Sequence, residues 1–137
     1  MSQKKTPLFF GALGLCAAYV LINVVYQRSQ QRVSQFDEAL VLRGQHLSDN
    51  CTACHYLDQK ANFVGPHLVD LIGRPVGDVS DYPYSLAIKQ LKGTWTSERL
   101  TQFLSNPQAY APGTKMTVRG WPPEEVRAIV AFLNSKS

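Results

Sequence analysis

Apolar and polar positions divide the chain into an uninterrupted apolar run, a short polar stretch and a longer region of helical period. Residues 8–26, LFFGALGLCAAYVLINVVY, carry no charge and a single strongly polar side chain, Asn23. This is close to the ~20 residues a helix needs to cross the hydrocarbon core, and as a helix the run satisfies its own backbone. Residues 27–35, QRSQQRVSQ, are polar and free of Gly and Pro; they predict a linker reaching at most about 30 Å when extended. Beyond it, Phe36, Leu40 and Leu47 fall near one face of a helix predicted over 35–50, in which Gly44 offers a close-contact point for another helix. Shorter helices are predicted over 84–91, stopped by Gly93, and over 97–105, capped by Thr96 and stopped before Pro107. Pro122-Pro123 opens a last helix with Glu124 and Glu125 in its first turn, where the dipole favours them, and an apolar stripe of Val126, Ile129, Val130 and Leu133 with Phe132 beside it. No strand pattern of useful length, internal repeat or low-complexity tract is present. The pattern therefore predicts an all-α domain over 36–137, a transmembrane anchor over 8–26, a linker over 27–35 and a short N-terminal segment over 1–7, with the basic residues at the two ends of the anchor too evenly matched to orient it.

Length and charge sharpen this picture. At 137 residues the chain is too short for a multidomain enzyme, and its 18% of charged residues is below that of ordinary globular chains. All ten acidic residues lie after Gln35, together with ten of the fourteen basic ones. The formal charge of +4 thus belongs to Lys4, Lys5, Arg28 and Arg32, which flank the apolar run, and the domain is neutral. A cleavable secretory signal competes with the anchor, since both begin with a short positive segment. The run outlasts the usual ~7–15-residue signal core, no Ala-x-Ala site follows it, and Tyr26 with Arg28 makes an interfacial end, so the anchor is preferred.

Three cysteines argue against a disulfide framework, and Cys16 sits in the apolar run as a small hydrophobe. Cys51-Thr52-Ala53-Cys54-His55 is C-x-x-C-H. Two thiols one helical turn apart can add to the two vinyl groups of a haem, and the following imidazole can bind its iron. A redox dithiol needs no following His and expects alternating strands and helices, and zinc needs two more ligands at matching spacing. Haem attachment through Cys51 and Cys54 is the expectation, with His55 as an iron ligand.

Iron bound by one His needs a second ligand or an open face, and the candidates for a ligand are His46, His67, Met116 and the lysines. Met116 is the only methionine besides Met1 and lies in a Pro/Gly-punctuated strap, Tyr110-Ala111-Pro112-Gly113-Thr114-Lys115-Met116. It is preferred over His46, expected to face solvent, and His67, expected at the surface.

Taken together, CTACH at 51–55, Gly65-Pro66, Leu71-Ile72-Gly73-Arg74, Tyr84 with Trp95, Asn106-Pro107 with the strap, and the last helix resemble a class I cytochrome c over 36–137. With the apolar run, the chain is similar to membrane-anchored bacterial cytochromes c. The resemblance implies crossed terminal helices around one covalent haem c, with His55 and Met116 as axial ligands. It also implies that the Pro66 carbonyl holds the His55 ring, that Arg74, Tyr84 and Trp95 surround the propionates, and that Thr114 steadies the strap. Physical chemistry supports each role: a ligating imidazole donates its other N–H to a fixed acceptor, and half-buried carboxylates need donors. Phe103 and Ile88 stand where the family often has tyrosine and asparagine, which implies a drier pocket. Gln108 and Ala109 replace common lysines, and the step from Gly44 to Cys51 is one residue shorter than usual.

The implied function is that of a single-electron carrier, not an enzyme, in the bacterial inner membrane; because haem is attached to C-x-x-C-H outside the bacterial cytoplasm, the haem domain is expected in the periplasm and the N-terminus over 1–7 in the cytoplasm. The carrier would take electrons from a quinol:cytochrome c oxidoreductase and deliver them to a terminal cytochrome c oxidase, with no nucleic-acid partner or small-molecule substrate. The alternatives are a fixed haem subunit of one of those complexes or, less in keeping with a Met strap, a haem peroxidase or gas sensor.

Overall fold

In a computed structural model of the chain, the described residues are 10–137, with side chains from residue 19 onward except at 32, 33, 35 and 36. The helices are α1 (Phe10–Ser48), α2 (Leu86–Gln90), α3 (Ser97–Ser105), α4 (Pro107–Tyr110) and α5 (Pro123–Ser135). Among the described residues the only β pairing is an isolated antiparallel bridge between Pro75 and Thr94. Contacts divide the chain into two units, Met1–Phe36 and Asp37–Ser137.

In the first unit, Tyr19, Leu21, Ile22 and Val25 are 65–69% exposed, with Val20, Val24 and Tyr26 also open. Asn23, the polar interruption, turns its amide onto the Tyr19 carbonyl at 2.8 Å, which satisfies one of its two donors within the helix. Residues 27–35, expected as a linker, are helical. No helix among the described residues is long and apolar enough to cross a membrane, so the span expected over 8–26 is not seen as such. Its residues 8 and 9 and the side chains of 10–18 lie outside the described residues.

The second unit is built on α3 and α5. Leu100, Phe103 and Leu104 of α3 face Val126, Ile129, Val130 and Leu133 of α5, all at most 7% exposed. At about 1.5–3 kcal/mol for each large apolar side chain removed from water, this pairing is the main store of stability. The C-terminal end of α1 closes over it. Val41 and Leu47 pack against the core, and Gly44 is so close to α5 that a Cβ there would overlap the Ala128 carbonyl and Phe132. The terminal helices therefore meet backbone to backbone at Gly44, as the sequence suggests. Of the predicted face on α1, Leu40 is half-buried, and the side chain of Phe36 lies outside the described residues.

Capping chemistry sets the element ends. Thr96 accepts from Arg99 N–H at 3.2 Å and opens α3 at the predicted residue. Ser85 caps α2, which delays its start from 84 to Leu86. The difference of substance is α4, for which no helix is predicted: just before the strap, Asn106 accepts from Ala109 N–H at 3.0 Å, Pro107 occupies the first turn, and a single helical turn forms.

Candidate haem site

The end of α1 leads directly into the attachment segment. Cys51 N–H donates to Ser48 O at 2.9 Å, Cys54 N–H to Cys51 O at 3.0 Å, and His55 N–H to Cys51 O at 2.9 Å. This winds the chain through one further turn, which places two half-buried free thiols three residues apart on it with His55 next. Burial is the main cause that pushes the Cys51 thiol pKa up, followed by Asp49 and Cys54, with a contact from Ser48 pulling the other way. A redox dithiol requires a depressed thiol pKa, so the environment of Cys51 opposes that chemistry. Among the described residues no three His, Cys, Asp or Glu side chains gather where they could hold a metal ion, so a zinc site is not assembled here.

His55 is the most constrained of these groups. Its Nδ1 lies 2.6 Å from the Pro66 carbonyl oxygen. A carbonyl only accepts, so Nδ1 carries the proton, and the Nε2 lone pair is left for a metal. Burial holds the imidazole pKa below its usual value, with the Pro66 bond partly offsetting this, so the ring is kept in the neutral, ligating form. Gly65 forms the wall behind it: its N–H donates to Cys54 O at 2.7 Å, and any Cβ there would overlap the imidazole.

Arg74 and Trp95 are brought together by backbone pairing around the Pro75–Thr94 bridge. Trp95 N–H donates to Arg74 O at 2.9 Å, Gly73 N–H to Trp95 O at 2.8 Å, and Val76 N–H to Gly93 O at 2.9 Å. Trp95 is 7% exposed and packs on Phe103 with ring centroids 5.2 Å apart. Tyr84 stands edge-on to Tyr82, and burial, ahead of every other cause, raises its phenol pKa. The three side chains make no hydrogen bonds to one another. Instead the Arg74 guanidinium donates to Val69 O at 2.8 Å and His67 O at 2.9 Å and lies 3.2 Å from His67 Nδ1. His67, expected at the surface, is half-buried there, with its ring nitrogen facing the Arg74 guanidinium. His46 is exposed.

The strap follows α4. Ala111 is 2% and Thr114 6% exposed, and Met116 is half-buried against the core. Thr114 Oγ1 accepts from Met116 N–H at 3.3 Å, and Lys115 Nζ donates to Pro83 O. Gln108, legible in the sequence only as a missing lysine, donates from its carboxamide to Thr114 O and Met116 O at 3.0 and 3.1 Å. Phe103 and Ile88 are each 7% exposed, so the interior at these two positions is apolar.

The Cytochrome c family profile matches residues 41–137. The chain belongs to the cytochrome c family. It is 38% identical over 115 residues to the "Cytochrome c homolog" of Rickettsia prowazekii, covering 82% of this chain and 66% of that one. It is 46% identical over 90 residues to "Cytochrome c-type cyt cy" of Rhodobacter capsulatus (65% and 45%), and 40% identical over 101 residues to "Cytochrome c2" of Afifella marina (70% and 82%). Among solved structures, cytochrome cH from Methylobacterium extorquens superposes with a TM-score of 0.65 at 35% identity, over 70% of this chain and 98% of that one. The chain spans about two thirds or less of the length of the Rickettsia and Rhodobacter relatives.

Cytochromes c are electron-transfer proteins rather than enzymes, and the cytochrome c domain carries one covalently bound c-type haem. Cys51 and Cys54 fit its attachment motif. The donor set agrees with that group: two thiols on one turn and an imidazole whose proton is already committed away from the metal. Ser48 is wholly buried beside Cys51, where its hydroxyl is the one group that pulls the Cys51 thiol pKa down.

Proposed function

We propose that the chain is a membrane-anchored single-electron carrier, with His55 and Met116 as axial ligands and Arg74, Tyr84 and Trp95 around the propionates. When bound, the haem supplies a one-electron iron couple. The observation that carries the reading is the fixed imidazole of His55, directed by Pro66 on the turn that bears both thiols. Met116 on its braced strap supplies the second ligand; a thioether there raises the potential, and its occupancy leaves no position for a substrate. Electrons come from a quinol:cytochrome c oxidoreductase and go to a terminal cytochrome c oxidase. The domain lies in the periplasm of a bacterium, tethered to the inner membrane.

The tether is supported by the uncharged sequence 8–26 and by the exposed apolar residues Tyr19–Tyr26, a surface that water alone does not favour. Tethering raises the local concentration of partners within reach without any new contact. This compensates for a domain whose ten basic and ten acidic residues give little long-range steering.

Purified ferric holoprotein should show the weak red charge-transfer band of methionine ligation, and its reduced form should be inert to CO. Membranes lacking the protein should lose quinol-to-oxidase electron flow, and the full chain should stay with the membrane through alkaline carbonate extraction. Ready CO binding would defeat the carrier reading, and release by carbonate would defeat the anchor.

A further inference from the structure

Residues 112–120 neither donate nor accept a backbone–backbone hydrogen bond except at Thr114, whose N–H reaches Ala111 O at 2.9 Å. Chain of this kind, outside regular structure, must find other partners for its polar groups or leave them to water. At Met116 both partners are side chains. The N–H is accepted by Thr114 Oγ1, and the carbonyl accepts from Gln108 Nε2, which also reaches Thr114 O. One carboxamide nitrogen with two hydrogens thus spans both ends of the Thr114–Met116 segment. The orientation of the amide is unambiguous, since both facing groups are carbonyls and only the NH2 end can bond to them.

Gln108 is placed for this by α4, the single turn set by Asn106 and Pro107. From the second residue of that turn its side chain reaches six and eight residues ahead, over the loop that Pro112 and Gly113 create. Thr114 and Lys115 hold other points of the strap, yet neither bonds to the Met116 carbonyl. Gln108 alone among the described side chains does so.

We infer that Gln108 is a positioning residue for the Met116 ligand: its two N–H bonds hold the strap closed and thereby resist replacement of the thioether by outside ligands. The inference rests on Met116 being the axial ligand, as proposed above. Its natural test is Gln108→Glu, which keeps shape and size but turns two donors into acceptors facing two carbonyls. Protonation of that carboxyl restores one donor, so the defect should shrink in acid, a response that loss of packing alone does not give.

The measurement is titration of the full-length ferric holoprotein with imidazole, followed through the methionine charge-transfer band, at neutral and acidic pH. Gln108→Glu should bind imidazole about tenfold more tightly than the parent at neutral pH, equivalent to about 1.4 kcal/mol, with a smaller ratio in acid. Gln108→Met, which removes the donors without adding charge, should give a smaller increase with no acid recovery, and it decides the question if the Glu variant fails to assemble. Parent-like imidazole affinity in the variants overturns the role of Gln108 while leaving the Met116 ligand in place. A parent protein without the methionine band overturns both. A lowered melting temperature with unchanged imidazole affinity makes Gln108 merely structural and also overturns the inference.

Discussion

Gly65→Ala tests the proximal side where it is tightest. A Cβ at this position would lie 2.6 Å from His55 Nδ1 and 2.9 Å from Nε2. Ordinary contact requires ~3.5 Å, so the ring or the residue 65 backbone must give by roughly 1 Å. The Nδ1 to Pro66 O distance of 2.6 Å leaves little room for such a shift. A ring moved by that amount loses the bond, at about 1–3 kcal/mol for a buried donor left unpaired, and overpacking adds a similar ~1–3 kcal/mol. A backbone shift instead breaks the Gly65 N–H to Cys54 O bond and falls in the same range. The total, roughly 2–6 kcal/mol, is a large share of the ~5–15 kcal/mol by which domains are stable. Gly65 is not at positive φ, so alanine's own backbone preference plays no part. Gly73 supplies the contrast: at φ 86° with nothing within 4 Å of its Cβ position, Gly73→Ala meets only left-handed strain of about 1–2 kcal/mol. Denaturant midpoints should therefore fall further for Gly65→Ala, and the paramagnetically shifted His55 ring signals should move only in that variant. Equal losses, or unmoved ring signals, would refute the steric argument.

Two other outcomes follow from the same geometry. The pKa of His67 is lowered by partial burial first, then by Arg74 and Lys60, with Asp70 opposing; the unfolded chain therefore binds the proton more readily, and stability should decline as pH falls below ~6.5 toward the lower folded value. Denaturation of the parent and His67→Gln between pH 7.5 and 5 should show a shallower decline in the variant, and identical slopes would refute it. Asn106→Ala removes the cap of α4 and should cost about 1 kcal/mol in a urea titration, with the red charge-transfer band weakened before global unfolding because Gln108 is carried on that turn.

What the sequence makes legible here is whatever is encoded locally. Thr96 and Pro107 bracket α3 because a cap and a proline act within a few residues, and the α5 stripe is visible because burial repeats with the helical period. His55 beside Pro66 came from resemblance, with the general need of a ligating imidazole for a second acceptor in support. The bond itself depends on a turn that brings together residues eleven apart. Arg74 is the clearest case of what pattern cannot supply. Its acceptors are the carbonyls of His67 and Val69 and the ring of His67, and carbonyl direction is a product of the folded loop. For the same reason Gln108 read as a lost lysine: an amide's partners are invisible until the strap folds back over α4. Asp70 and Asp81, at φ 52° and 60°, are likewise turn positions that no periodicity signals.

These nonlocal bonds bear on electron transfer itself. A carrier works best when its ligands keep one geometry in both oxidation states, so the support of each ligand matters as much as its identity. His55 is fixed through Pro66 and walled by Gly65, whose N–H returns to Cys54 on the attachment turn. Met116 is held at both backbone groups by Thr114 and Gln108, and the strap begins on a turn that continues from the end of α3. Both supports converge on one packed interior: Gly44 of α1 against α5, and α5 against α3, joined to the strap through Phe103 and Tyr110, whose rings lie 5.8 Å apart. Close-packed interiors resist small displacements, so movement at either proposed ligand is opposed by the same core. Phe103 and Ile88 strengthen this rigidity by a second route. Being apolar, they leave no hydroxyl or amide at these positions to reorient when the charge changes, whereas a tyrosine or asparagine would rearrange its hydrogen bonds. Phe103→Tyr should accordingly shift the midpoint potential in a redox titration and cost about 1–3 kcal/mol in a urea titration, because Phe103 packs between Trp95 and Tyr110 and the added hydroxyl is buried without a partner; an unchanged potential would count against this route.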